Sequence, residues 1–143
     1  LISEVAKRFP YVIPEGINDA NYVLLTGDSY TQCVAYVRWV AFNYGWKWIQ
    51  EAWDCDNFSE ALAFVTRAAL AKSIPDIKAE PLTGRIHVFQ QFKFADVPAG
   101  GFHALNFGVV DDFLIVVTEP QNGFSVIDED YPNKNSVNKI KLD

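Results

Sequence analysis

Methionine is absent from this sequence of 143 residues, cysteine and histidine occur twice each, and no apolar run approaches the ~18 residues needed to cross a bilayer. No membrane span is therefore expected. The N-terminus lacks a basic stretch followed by an apolar core and a cleavage site, so any targeting signal was removed or never existed. Beginning at Leu1 without a methionine, the chain reads as a fragment of a longer product. Two cysteines do not make a disulfide scaffold, and they fix no compartment. Basic clusters are missing too: the net charge is −6 and the pI about 4.8, which argues against nucleic acid as the main partner. What the chain does have is apolar mass. Half of it is hydrophobic and 15% aromatic, enough for one cored domain over residues 1–143 and too little for two.

The order of elements follows from spacing. Residues 1–26 are broken by Pro10, Pro14 and Gly16, with a strand-like piece at 22–25. Val34, Val37, Ala41 and Tyr44 recur at helical spacing up to Gly45, which predicts a helix over about 30–44. Phe58, Leu62, Val65 and Ala69 form the stripe of a second helix, ending near Ser73 before Pro75. Residues 76–84 read as a loop. From Arg85 the period changes to two, and β-rich runs at 102–110 and 113–118 flank Asp111-Asp112 as a hairpin. A last strand is expected at 124–127, and the polar tail after Asp128 is expected to run over the surface.

The feature to explain is Cys55. Asp54 is a good N-cap residue, which places Cys55 at the first turn of the second helix, where free N–H groups and the positive end of the dipole favour an anion such as a thiolate. Helix N-termini and neighbouring imidazoles are how a thiol becomes a nucleophile near neutral pH. The plainer reading is a buried structural cysteine, or a disulfide with Cys33. His103, after Gly100-Gly101 and at the start of a strand, is the candidate base, with Glu119 on the partner strand as its orienter. His87, in mid-strand with only Gln90 and Gln91 as polar company, is the rival.

A two-residue loop at Asp111-Asp112 would put Glu119 on the face away from His103. A direct pairing needs a three-residue loop such as 110–112, or a bulge with Gly108 as candidate. One or the other is predicted, with a His103–Glu119 contact at ~2.6 to 3.2 Å.

Taken in order, Cys55-Asp56-Asn57-Phe58, His103 and Glu119 resemble the papain-like cysteine peptidases. The nearest likeness is to the C-terminal protease domain of the fairy-ring-mushroom agglutinin and its bacterial and viral relatives. That resemblance implies an α+β, papain-like fold, with N-terminal helices carrying the cysteine packed on a C-terminal antiparallel sheet. It implies a thiol protease that cleaves amide bonds of a protein or peptide substrate through a Cys55–His103–Glu119 triad and an acyl-enzyme, or passes the acyl group to an amine as a transglutaminase does. It also implies that Trp48 and Gln121 serve the oxyanion and substrate. The chemistry requires no cofactor, but the fungal relative is calcium-activated, and Asp54, Asp56, Asp111 and Asp112 can supply carboxylates. Nothing resembles the agglutinin's sugar-binding trefoil. Two alternatives stand beside this reading. Thr31-Gln32-Cys33-Val34-Ala35-Tyr36 is similar to the nucleophile helix of CHAP-type cell-wall amidases, which would make Cys33 the nucleophile, and a non-catalytic binding module on the same fold would use its aromatic residues for recognition.

Overall fold

In the computed structural model, residues 14–15, 21–47, 54–89, 94–95 and 101–142 are described. Two helices carry the first half. Helix α1 (Gly27–Asn43) starts where the Thr26 side chain accepts from Ser29 N at 3.0 Å. Its buried residues Tyr30, Cys33, Val34, Val37 and Ala41 recur every three or four positions and form one stripe, and Gly45, at φ +66°, closes the C-terminal turn. Helix α2 (Cys55–Ser73) is opened by a capping box: Asp54 accepts from the helix N-terminus while its own N–H donates to Asn57 Oδ1 at 3.1 Å. It stops at Ser73, with Ile74 before Pro75 held out of the helical region.

The strands are β1 (Pro14–Glu15), β2 (Asn21–Val23), β3 (Ala79–Pro81), β4 (Thr83–Val88), β5 (His103–Val110), β6 (Leu114–Thr118), β7 (Ser125–Ile127) and β8 (Val137–Leu142). One sheet runs β1-β8-β4-β5-β6-β7, antiparallel except for β1, which lies parallel to β8; β2 and β3 form a separate parallel pair. Every residue of β5 is buried, so both faces of the sheet are covered at its middle. On one face Ala104, Asn106, Gly108 and Val110 meet the helices. Asn106 Nδ2 donates to Ser59 O at 2.8 Å, and the place of a Cβ on Gly108 is taken by the Tyr30 ring, 2.5 Å away, so only glycine lets α1 lie this close. On the other face Leu105, Phe107 and Val109 join Ile86, Val88, Ile115, Val117 and Ile140 in a fully buried cluster. At ~1.5–3 kcal/mol for each large apolar side chain removed from water, this cluster is the main stabilising term of the sheet.

Two expectations are corrected. The loop assigned to 76–84 contains β3 and the start of β4. The tail expected to run over the surface supplies β8, a strand inside the sheet: Val137, Ile140 and Leu142 face the core, and the odd spacing of the first two is absorbed by a register shift that passes from His87↔Lys139 to Val88↔Val137 and leaves Asn138 out. The papain-like arrangement of helices followed by a C-terminal sheet is corrected with them. The sheet takes strands from both ends of the chain, one of them before the first helix, and eight strands stand against two helices among the described residues.

Candidate functional site

The β5–β6 hairpin closes through three residues, Asp111–Phe113, with Val110 paired to Leu114 and Asp112 at φ 61°. The loop therefore has the expected length, set one position later than the 110–112 loop of the sequence reading. In this register Asn106 faces Thr118, so Glu119 is placed beside Leu105, on the same face as His103 and diagonal to it, not directly opposite. A glutamate side chain spans a diagonal. Glu119 Oε2 lies 2.5 Å from His103 Nε2, with the carboxylate fully buried and the imidazole 8% exposed.

The second carboxylate oxygen, Oε1, accepts from Gln121 N at 3.1 Å. The Glu119 carboxylate is thus held by His103 at one oxygen and by its own loop at the other. The loop folds back on itself, with Gly123 N donating to Glu119 O at 2.8 Å and Glu119 N to Phe124 O at 2.9 Å. Arg38 Nη1, from α1, donates to Gln121 O, and Asn122 Nδ2 donates to Ala95 O.

Cys55 is the first residue of α2 and is half-buried. Its thiol is hydrogen-bonded to the His103 ring. Burial by itself would lower the pKa of His103, but the hydrogen bonds to Cys55 and Glu119, together with their charges, outweigh it and push the pKa up to about 9. A thiol, an imidazole and a buried carboxylate in line form an arrangement in which the sulfur proton can pass to the ring and the resulting imidazolium is held by the carboxylate.

The other sequence candidates are not part of this line. Cys33 is buried in α1 beside Tyr30, Val34 and Val37, its thiol pKa is pushed up by burial, and the thiol that meets His103 is that of Cys55, so the structure does not bring the nucleophile of the amidase-like alternative to the histidine. His87 faces α2, opposite Ala104; burial pushes its pKa down, and its Nε2 has no hydrogen-bond partner among the described residues. Gln121 contributes its backbone N–H to Glu119. Trp48 lies outside the described residues. The four aspartates proposed for calcium do not converge: Asp54 and Asp56 are at the start of α2, near the His103 end of β5, whereas Asp111, which accepts from Gly27 N, and Asp112 are beyond its far end. Eight residues of strand, roughly 23 Å at ~3.3 Å per step, separate the two pairs. No group of three or more metal-binding side chains occurs among the described residues.

No protein-family model and no curated protein matches the chain. Solved structures do. A structure of Polyporus squamosus lectin bound to the human-type influenza-binding epitope Neu5Aca2-6Galb1-4GlcNAc is 18% identical, with a TM-score of 0.68 over 98% of this chain and 48% of that one. A complex of PSL1a with E64 is also 18% identical, with a TM-score of 0.62 over 92% of this chain and 42% of that one. The chain thus spans less than half the length of either, and at this identity the likeness is one of fold. These neighbours are of a lectin, and they correct the sequence reading at three points. The resemblance to a papain-like cysteine peptidase, the papain-like fold class and the assignment as a hydrolase or thiol protease all give way to a fold shared with a sugar-binding lectin. Short motifs in the right order had carried that resemblance, and order alone does not fix a fold. No helix among the described residues is long and apolar enough to cross a membrane.

Proposed function

We propose that the chain is a ligand-binding domain whose site is centred on Cys55, His103 and Glu119, and that its ligands are electrophiles captured by the Cys55 sulfur. One observation carries this reading: a fully buried Glu119 carboxylate 2.5 Å from an imidazole that is also hydrogen-bonded to a cysteine at a helix N-terminus. A buried carboxylate–imidazole pair costs desolvation of both groups, and that cost is typical of sites where chemistry is prepared. The PSL1a complex supports it, since E64 is an epoxide and is bound by a protein of this fold. In such a capture the sulfur forms a bond to an epoxide carbon, the C–O bond breaks, and the alkoxide takes the proton held by His103. Atoms and charge balance without a co-reactant. Glu119 keeps the ring in orientation, and Gln121 fixes Glu119.

Incubation with E64 followed by intact mass measurement and peptide mapping tests the reading. One equivalent on Cys55, none on Cys33 and none in Cys55→Ala is expected. No adduct, or an adduct spread over both cysteines, would overturn it. Cleavage of a peptide that Cys55→Ala abolishes would overturn the binding reading in favour of turnover.

A second reading, carbohydrate binding, is supported by the stacked pair Tyr36 and Trp39 on α1, with ring centroids 6.1 Å apart and both rings more than half exposed. A sialylated trisaccharide of the kind bound by the Polyporus squamosus lectin should lose affinity in Trp39→Ala if sugar rests on this pair.

A further inference from the structure

The ladder of β6 ends at Thr118, so the residue that orients His103 is the first one outside the sheet. Its loop is closed internally by the bonds between Glu119, Gln121, Gly123 and Phe124, which set the loop's shape but not its position over β5. Position comes from outside. Gly123, at φ +79°, lies flat on α1: a Cβ there would be 3.1 Å from Arg38 Cγ and 3.4 Å from Val34 Cγ1. The same arginine continues past the glycine and donates to Gln121 O, one residue pair away from the carboxylate it steadies. Asn122, whose Oδ1 accepts from Phe124 N at 3.0 Å, adds a second tie through Nδ2 to Ala95 O.

We propose that Arg38 is a positioning residue for this site: its stem seats Gly123 and its guanidinium holds the Gln121 carbonyl, which together fix Glu119 against His103. The proposal rests on the reading of Cys55, His103 and Glu119 as one site. Its physical basis is geometric. A contact of 2.5 Å between a strand side chain and a loop side chain survives only small displacements, and a shift of ~1 Å at such a centre is costly even when it originates far from the chemistry. Arg38 has no contact with the thiol in this role; it acts through Gln121 and Glu119.

Two substitutions separate positioning from packing. Arg38→Met keeps an unbranched stem on Gly123 and removes every N–H, whereas Arg38→Lys restores one donor in reach of Gln121 O. The readout is the titration midpoint of the His103 ring by NMR, with E64 labelling of Cys55 followed in parallel and circular dichroism confirming the fold. The midpoint should fall by about one pH unit or more in Arg38→Met and recover, at least in part, in Arg38→Lys. A native-like midpoint in a folded Arg38→Met overturns the clamp. A native protein whose His103 titrates at the ordinary value overturns clamp and site together. A raised native midpoint without E64 labelling removes the proposed function alone, and the clamp is then decided by the midpoint.

Discussion

Glu119→Gln removes a charge from behind His103 while keeping the shape of the side chain, and its effect can be worked out from the site. The interval between the ordinary histidine value of 6.5 and about 9 corresponds to roughly 3 kcal/mol of preference for the protonated ring in the folded state. A raised pKa gives stability that is fully present below the unfolded value and is lost as pH rises through the folded one. Native protein should therefore lose roughly 3 kcal/mol between pH ~6 and pH ~9.5 in urea unfolding. In Glu119→Gln the burial that lowers the pKa remains and the facing carboxylate is gone, leaving the hydrogen bond and charge of Cys55 to oppose it. The variant should lose clearly less than the native protein over the same interval. Other titrating groups are common to both proteins, so the difference between the two curves isolates the pair. An equal loss in both would refute the contribution of Glu119 to the raised pKa.

Cys55→Ala should lower the His103 midpoint as well as abolish labelling, because it deletes a hydrogen bond and a charge that favour the imidazolium; NMR titration checks this. Cys33→Ala should leave labelling of Cys55 unchanged and cost about 1 to 3 kcal/mol by thermal or urea unfolding, as expected for a small cavity in the cluster of Tyr30, Val37 and Leu62. Gly84→Ala is expected to destabilise by about 3 kcal/mol or to prevent folding, since its Cβ would sit 2.1 Å from Lys141 O and the β4–β8 backbones would have to part; the soluble yield and unfolding midpoint report it.

The elements with a strong period were legible in the sequence. Both helices were, with the Asp54 cap and the stop before Pro75, because capping chemistry is local. So was the β5–β6 hairpin with its odd loop. The diagonal placement of Glu119 was not, because it depends on where the loop begins, and Asp112 and Phe113 both adopt positive φ without a glycine to announce it. The strand at 137–142 was hidden by the bulge at Asn138, which breaks the alternation of Val137 and Ile140 and makes a core strand look like a polar tail. Arg38 could not be found from the sequence, as it meets Gln121 only once α1 is laid across the sheet. The fold family was misread for a related reason: the papain-like resemblance used residues at helix starts and strand ends, and these positions say little about how the sheet is ordered.

The most direct measurement is the second-order rate of iodoacetamide with each cysteine of the native protein at pH ~7, set against glutathione. Cys55 should react at least ~10-fold faster than glutathione and lose that advantage in His103→Ala, with Cys33 slower than either. Equal, slow labelling of Cys55 and Cys33 in the native protein would contradict the claim that Cys55, His103 and Glu119 form one nucleophilic site.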